Sequence, residues 1–97
     1  MEERAELVEL DLSKIQTSND LQTILKETLG FPSFYGMNWD AFWDSITGLV
    51  ELPKVIKITG WSILKRNLPC DSTILKECLE DLNLKHPSWS CNVHYID

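Results

Sequence analysis

Asp40 and Asp44 are the two side chains of this sequence whose type and spacing best support chemistry. Four residues apart, they share one face of a helix. Paired carboxylates serve two ends. Enclosed in a pocket that raises the pKa of one member, they work as general acid and base. Exposed on a rigid helix, they present negative charge to a cation. The acid–base use requires other polar groups clustered beside the pair. Here the neighbours are aromatic instead, with six of the nine aromatic residues falling between Phe31 and Trp43. No Lys or Arg occurs from Thr28 to Pro53, while Asp40, Asp44 and Glu51 all do. The stretch from Gly30 to Leu52 thus suits a rigid patch that receives a basic partner. The plainer use of the same residues is a solvated helix face, with a like-charge penalty of roughly 0.2–0.5 kcal/mol.

Other chemistries lack their residues. His86 and His94 are the only histidines, and Cys70, Cys78 and Cys91 do not have a zinc-ligand spacing. Gly30, Gly36, Gly48 and Gly60 are isolated turn glycines rather than a phosphate loop. The expectation is a protein that is not an enzyme and holds no metal or cofactor. An odd cysteine count gives no disulfide framework, so three free thiols are expected, with Cys78 and Cys91 as small buried hydrophobes. Nine basic against fifteen acidic residues leave a net charge of −6, which disfavours direct binding to nucleic acid. The charged start lacks a signal core and no apolar run is long enough to span a bilayer, so the expected location is the cytoplasm.

The elements that position the carboxylates are readable in order. Ala5 to Leu12 alternates as a strand, with Val8, Leu10 and Leu12 on one face. Thr17 or Ser18 caps a helix that turns Leu21, Ile24, Leu25, Thr28 and Leu29 inward and Gln22, Lys26 and Glu27 outward, and Gly30 ends it. Pro32 keeps Phe31 to Ser33 extended, and Gly36 is the residue free to take an unusual backbone angle. Asn38 caps a helix from Trp39 to Thr47, with Trp39, Phe42, Trp43 and Ile46 inward and Gly48 as the stop. Lys54 to Thr59 forms a strand, Trp61 to Leu68 a short helix, and Asp71 or Ser72 caps a long helix with Ile74, Leu75, Cys78, Leu79 and Leu82 inward. A turn from Asn83 to Ser88 leads to a last strand with Cys91, Val93 and Tyr95 on one face. Strands separated by helices predict a single α/β domain over residues 1–97. Its expected architecture is a small three-stranded parallel sheet, arranged around the first and last strands and packed with about four helices.

The motif Phe31-Pro32-x-Phe34-Tyr35-Gly36-x-Asn38-x-Asp40-Ala41-Phe42-Trp43-Asp44-x-Ile46-Thr47-Gly48, continued by Val50-Glu51-Leu52-Pro53, resembles the core motif of the barstar family of intracellular ribonuclease inhibitors. Outside residues 30–53 the likeness lies in the layout of helices and strands and covers nearly the whole chain. The resemblance implies that the second helix and the loop before it plug the active site of a small basic secreted ribonuclease of guanyl-specific type, as a monomer forming a 1:1 complex. By the same resemblance, Asp44 enters the phosphate-binding site, Asp40 stands beside it, Phe34 stacks on a catalytic histidine and Glu80 faces a basic group. Asn38 helps shape the surface, Gly48 matches the glycine that follows the helix, and Trp43 and Leu49 complete the set of partner-binding residues. Two positions depart from the family's best-known inhibitor: Phe34 lacks a tyrosine hydroxyl, and Leu49 replaces a tryptophan. A second reading keeps the acidic surface but assigns it to a non-inhibitory binding or regulatory module with another basic partner.

Overall fold

The computed structural model describes residues 5–97. In chain order the elements are β1 (Leu7–Asp11), α1 (Ser18–Leu29), α2 (Trp39–Gly48), β2 (Val55–Thr59), α3 (Trp61–Asn67), α4 (Pro69–Lys85), a 3₁₀ turn (Pro87–Trp89) and β3 (Asn92–Tyr95). The three strands form one parallel sheet in the order β1-β2-β3. The parallel sheet and its helices are as the periodicity predicts. The arrangement around the first and last strands is not: β2 is central, and β1 and β3 never meet. Its Ile56 and Ile58 are buried, whereas the edges carry Glu9 and Asp11 on one side and Asn92 and His94 on the other. Charged and polar edges discourage pairing with a further strand.

Both crossovers run in the same direction across the sheet. Right-handed connections therefore place every helix on one face, and the burial pattern agrees. Leu10, Leu12, Ile56 and Ile58 are buried beneath the helices, while Leu7, Glu9, Lys57, Asn92 and His94 on the other face are exposed. Across that face, which no described residue covers as a further layer, Glu9, Lys57 and His94 are in register. Parallel sheets are ordinarily covered on both faces; this one has two layers.

The helices follow from their caps. Thr17 accepts from the Asp20 backbone N–H at 3.0 Å and starts α1, and Gly30, in the left-handed region at φ 74°, ends it. α4 begins earlier than Asp71 or Ser72, because Pro69 occupies its first turn, where its fixed φ favours the helix and its missing N–H costs nothing. The hydroxyls of Ser72 and Thr73 instead bond back to the Pro69 carbonyl. α4 also continues past Asn83, whose side-chain amide donates to the Cys91 carbonyl and accepts from the Cys91 N–H, both at 2.7 Å. That two-bond clamp sets where β3 enters the sheet. The three cysteines are free thiols; Cys91 is buried, Cys78 half-buried and Cys70 exposed.

Gly30 and Gly60 have nearly the same positive φ but different surroundings. A Cβ on Gly30 would meet nothing within 4 Å, whereas one on Gly60 would lie 2.6 Å from the Ser13 backbone. Gly30→Ala should cost only the left-handed strain, about 1–2 kcal/mol. Gly60→Ala should cost clearly more, because Ser13 must also move. Urea unfolding of the two variants checks this; equal losses would mean that the β1–α1 connection yields freely.

Candidate functional site

The loop before α2 is built on aromatic packing. Phe31 lies 4.8 Å from the Tyr35 ring and 5.7 Å, edge-on, from Phe42. Tyr35 Oη donates to Gln22 Oε1. Gln22, assigned to the outer face of α1 by its polarity, is in fact 3% exposed: it turns inward because the tyrosine hydroxyl gives its amide a buried partner. Burial pushes the Tyr35 hydroxyl up to about 12, with the nearby Cys78 adding a smaller contribution in the same direction. Tyr35 N–H bonds to the Pro32 carbonyl at 3.0 Å, so the chain turns at Ser33 and Phe34 and the extended run expected from Phe31 to Ser33 does not include Ser33. Phe34 stands at its tip, 75% exposed.

The unusual backbone angle falls on Met37, at φ 57°, rather than on Gly36. Gly36 is needed for space, since a Cβ there would come within 3.2 Å of the Ala41 Cβ. Asn38 fixes both sides of this corner. Its Oδ1 accepts from the Ala41 N–H at 2.8 Å, capping α2, and its Nδ2 donates to the Gly36 carbonyl at 3.1 Å. A further tie lies behind the first turn of α2. Trp39 Nε1 donates to Asp71 Oδ1 at 2.9 Å, and Ser18 Oγ donates to the other oxygen of the same carboxylate. Asp71, expected only as a helix cap, thereby joins the starts of α1, α2 and α4.

Below this corner α2 buries Phe42, Ser45 and Ile46. Asp40 and Asp44 point outward and are exposed, and neither forms a hydrogen bond through its side chain or an ion pair among the described residues. Gly48 is the last residue of the helix rather than the residue after it, and Leu49 is the C-cap, 54% exposed. Beyond it a groove of about 580 Å³ runs between the end of α2 and the 3₁₀ turn, lined by Ile46, Leu49, Val50, Leu52 and Trp89 among others.

Trp43 is half-buried, not a core residue. It lies along the end of α4, with its ring 6.4 Å from that of His86 and the Lys85 ammonium 5.8 Å from its centre. His86 in turn stacks on Trp89 at 4.6 Å and 12°. Turn residues do not show periodicity, which is why this platform was invisible in the sequence.

Glu80 is exposed on α4 but belongs to a different flank. With Lys76, one turn earlier, it faces Tyr95: the Lys76 ammonium lies 5.4 Å from that ring, and burial, aided by the Glu80 charge, pushes the Tyr95 hydroxyl up to about 12. Cys78, Asp81 and Lys85 form the stripe beside Tyr35 and Trp43. Burial raises the Cys78 thiol, with the charges of Asp81 and Glu77 adding to it. The structure thus gathers Phe34, Asn38, Asp40, Trp43, Asp44, Gly48 and Leu49 on the loop and α2, and sets Asp81 rather than Glu80 on the bordering stripe of α4. Helical spacing from Cys78 was the available signal for Asp81.

Among the described residues no group of three or more His, Cys, Asp or Glu could hold a metal ion, and no helix is long and apolar enough to cross a membrane. What the surface can do is present fixed negative charge beside apolar and aromatic side chains.

A family model described as Barstar (barnase inhibitor) matches residues 5–91. The chain is also similar to the putative ribonuclease inhibitor YrdF of Bacillus subtilis (strain 168), with 46% identity over 37 residues. That alignment spans 38% of this chain and 41% of the relative.

The Tyr35–Gln22 bond supports the loop from beneath. Tyr35→Phe should cost about 1–3 kcal/mol, because it strips a buried acceptor of its donor while leaving the ring packing in place. Chemical denaturation of the two proteins measures this, and a loss below about 0.5 kcal/mol would mean that the amide finds another partner.

Proposed function

The chain belongs to the barstar family, and from that premise we propose that it inhibits a small basic secreted ribonuclease of guanyl-specific type. The observation that carries the reading is the pair Asp40 and Asp44, exposed and unneutralised on a helix whose start is pinned by Asn38 and Asp71. A ribonuclease active site concentrates positive charge to hold a phosphodiester and its transition state. A carboxylate carried on a rigid helix can occupy that charge without offering a bond to cleave.

Each part of the surface then has a task. Asp44 takes the phosphate position and Asp40 the adjoining cations. Phe34 offers its exposed aromatic face to a histidine ring but, lacking a hydroxyl, contributes no hydrogen bond. Leu49 supplies an apolar rim where α2 ends, and Gly48 permits close approach of the partner backbone. Glu80, on the far flank of α4, acts only at the margin. Little conformational freedom is lost on docking, because the loop and helix are already held. The complementary charges speed encounter and make it salt-sensitive. The complex is 1:1 between monomers, and the inhibitor acts in the cytoplasm, before the enzyme leaves the cell.

Asp44→Ala should leave the fold intact, since the side chain has no partner among the described residues and one like-charge repulsion disappears. It should weaken binding to the ribonuclease by at least about 2 kcal/mol, the threshold of a hot spot, through faster dissociation. The largest loss of that kind on record comes from a member of this family, so the threshold rather than that value is the expectation. Inhibition assays and dissociation rates, with circular dichroism as the folding control, decide the matter. A folded Asp44→Ala protein that inhibits like wild type removes the phosphate-mimic role. A wild-type protein that binds a basic partner without ribonuclease activity favours the regulatory-module reading instead.

A further inference from the structure

The surface beside α2 is not of one sign. Lys85 is exposed in the last turn of α4, next to the stretch of chain that otherwise carries no cation. A lysine there favours the negative end of the helix dipole, yet its ammonium lies over the ring of Trp43, at 5.8 Å. Asp81 stands four residues earlier on the same stripe, but no carboxylate comes within ion-pair distance of Lys85 among the described residues. Trp43 itself lies between Asp40 and Asp44 in sequence, on α2. The cation is therefore held beside α2 by the ring of the residue that immediately precedes Asp44, at the border between the inward arc and the acidic face, and His86, stacked on Trp89, backs the same platform.

We propose that Lys85 is a specificity-determining residue: the partner that fits this surface presents cations to Asp40 and Asp44 and a carboxylate to Lys85. The inference rests on the inhibitory reading and deepens it. A uniformly basic surface would meet Lys85 as a like charge across the Trp43 ring, and like charges facing each other in an interface select strongly against a partner. A basic ribonuclease with an acidic side chain placed opposite Lys85 satisfies both signs. Lys85 thus narrows the partners that the acidic pair alone would admit.

The two accounts of Lys85 differ in sign, which makes the test sharp. If the whole surface worked by negative charge alone, Lys85→Glu would add to it and tighten binding. If Lys85 reads a carboxylate, Lys85→Glu dissociates at least about ten-fold faster, even where its association is as fast as wild type or faster. The probe is a small basic guanyl-specific secreted ribonuclease, with wild type, Lys85→Glu, Lys85→Met and Asp44→Ala compared at low and high salt. Thermal unfolding checks the fold, and Lys85→Met, expected to be intermediate, replaces the glutamate variant if that one does not fold. Reversing the enzyme's acidic residues one at a time to lysine should restore slow dissociation to Lys85→Glu at one position. Lys85→Glu or, in its place, Lys85→Met dissociating as slowly as wild type, while Asp44→Ala is impaired, overturns the role of Lys85 and leaves the inhibitory reading standing. Failure of wild type to bind the ribonuclease, or an unimpaired Asp44→Ala, overturns both.

Discussion

Two like charges kept in water on one face of a ten-residue helix must be held entirely from behind. α2 neutralises neither Asp40 nor Asp44, so its geometry depends on what its other faces and its ends contact. The Asp71 carboxylate is central to this. One oxygen takes the Trp39 indole and the other the Ser18 hydroxyl, so a single half-buried side chain fixes the starts of three helices. The aromatic cluster of Phe31, Tyr35 and Phe42 holds the preceding loop from below, and the Asn38 side chain closes the corner between loop and helix. Met37 is held in a left-handed conformation that a side chain rarely adopts. Such strain persists only where the surroundings over-determine it.

This manner of support has a mechanical meaning for binding. A charged helix free to tilt would lose entropy on docking and would place its carboxylates with poor accuracy. Here the buried residues of α2 pack on the core while the acidic face remains unengaged. The energy that fixes the helix comes from burial and from hydrogen bonds on the inner side. The charges are left available to whatever meets the outer side.

Much of this was legible in the sequence, and the exceptions have physical causes. Asn38 as a cap, Gly30 as a stop, the parallel strands and the inward placing of Leu21 and Leu25 on α1 and of Leu75, Leu79 and Leu82 on α4 follow from local rules, and the structure bears them out, whereas Ile74 is only half-buried and does not join the core. Gln22 was misplaced because polarity alone sends it outward, and only the distant Tyr35 hydroxyl brings it in. Gly36 and Met37 exchanged roles because lack of space and positive φ both favour glycine, and a sequence does not separate them. Trp43 has the spacing of a core residue but lies at the edge of the inward arc, where the neighbouring helix leaves one side of the ring open. Glu80 and Asp81 differ by one residue, and that step carries the side chain from the flank beside Tyr95 to the flank beside Cys78. The central place of β2 follows from how the crossovers lie in space, which element order alone does not specify.

The face of the sheet turned away from the helices has a consequence of its own. All helices lie on the other side, so Glu9, Lys57 and His94 stand on a surface that shares no layer with the acidic face. A tether or dye attached there would turn the face that carries Asp40 and Asp44 toward solution. Orientation on a support, ordinarily a matter of chance, would then be set by which layer of the fold carries the handle.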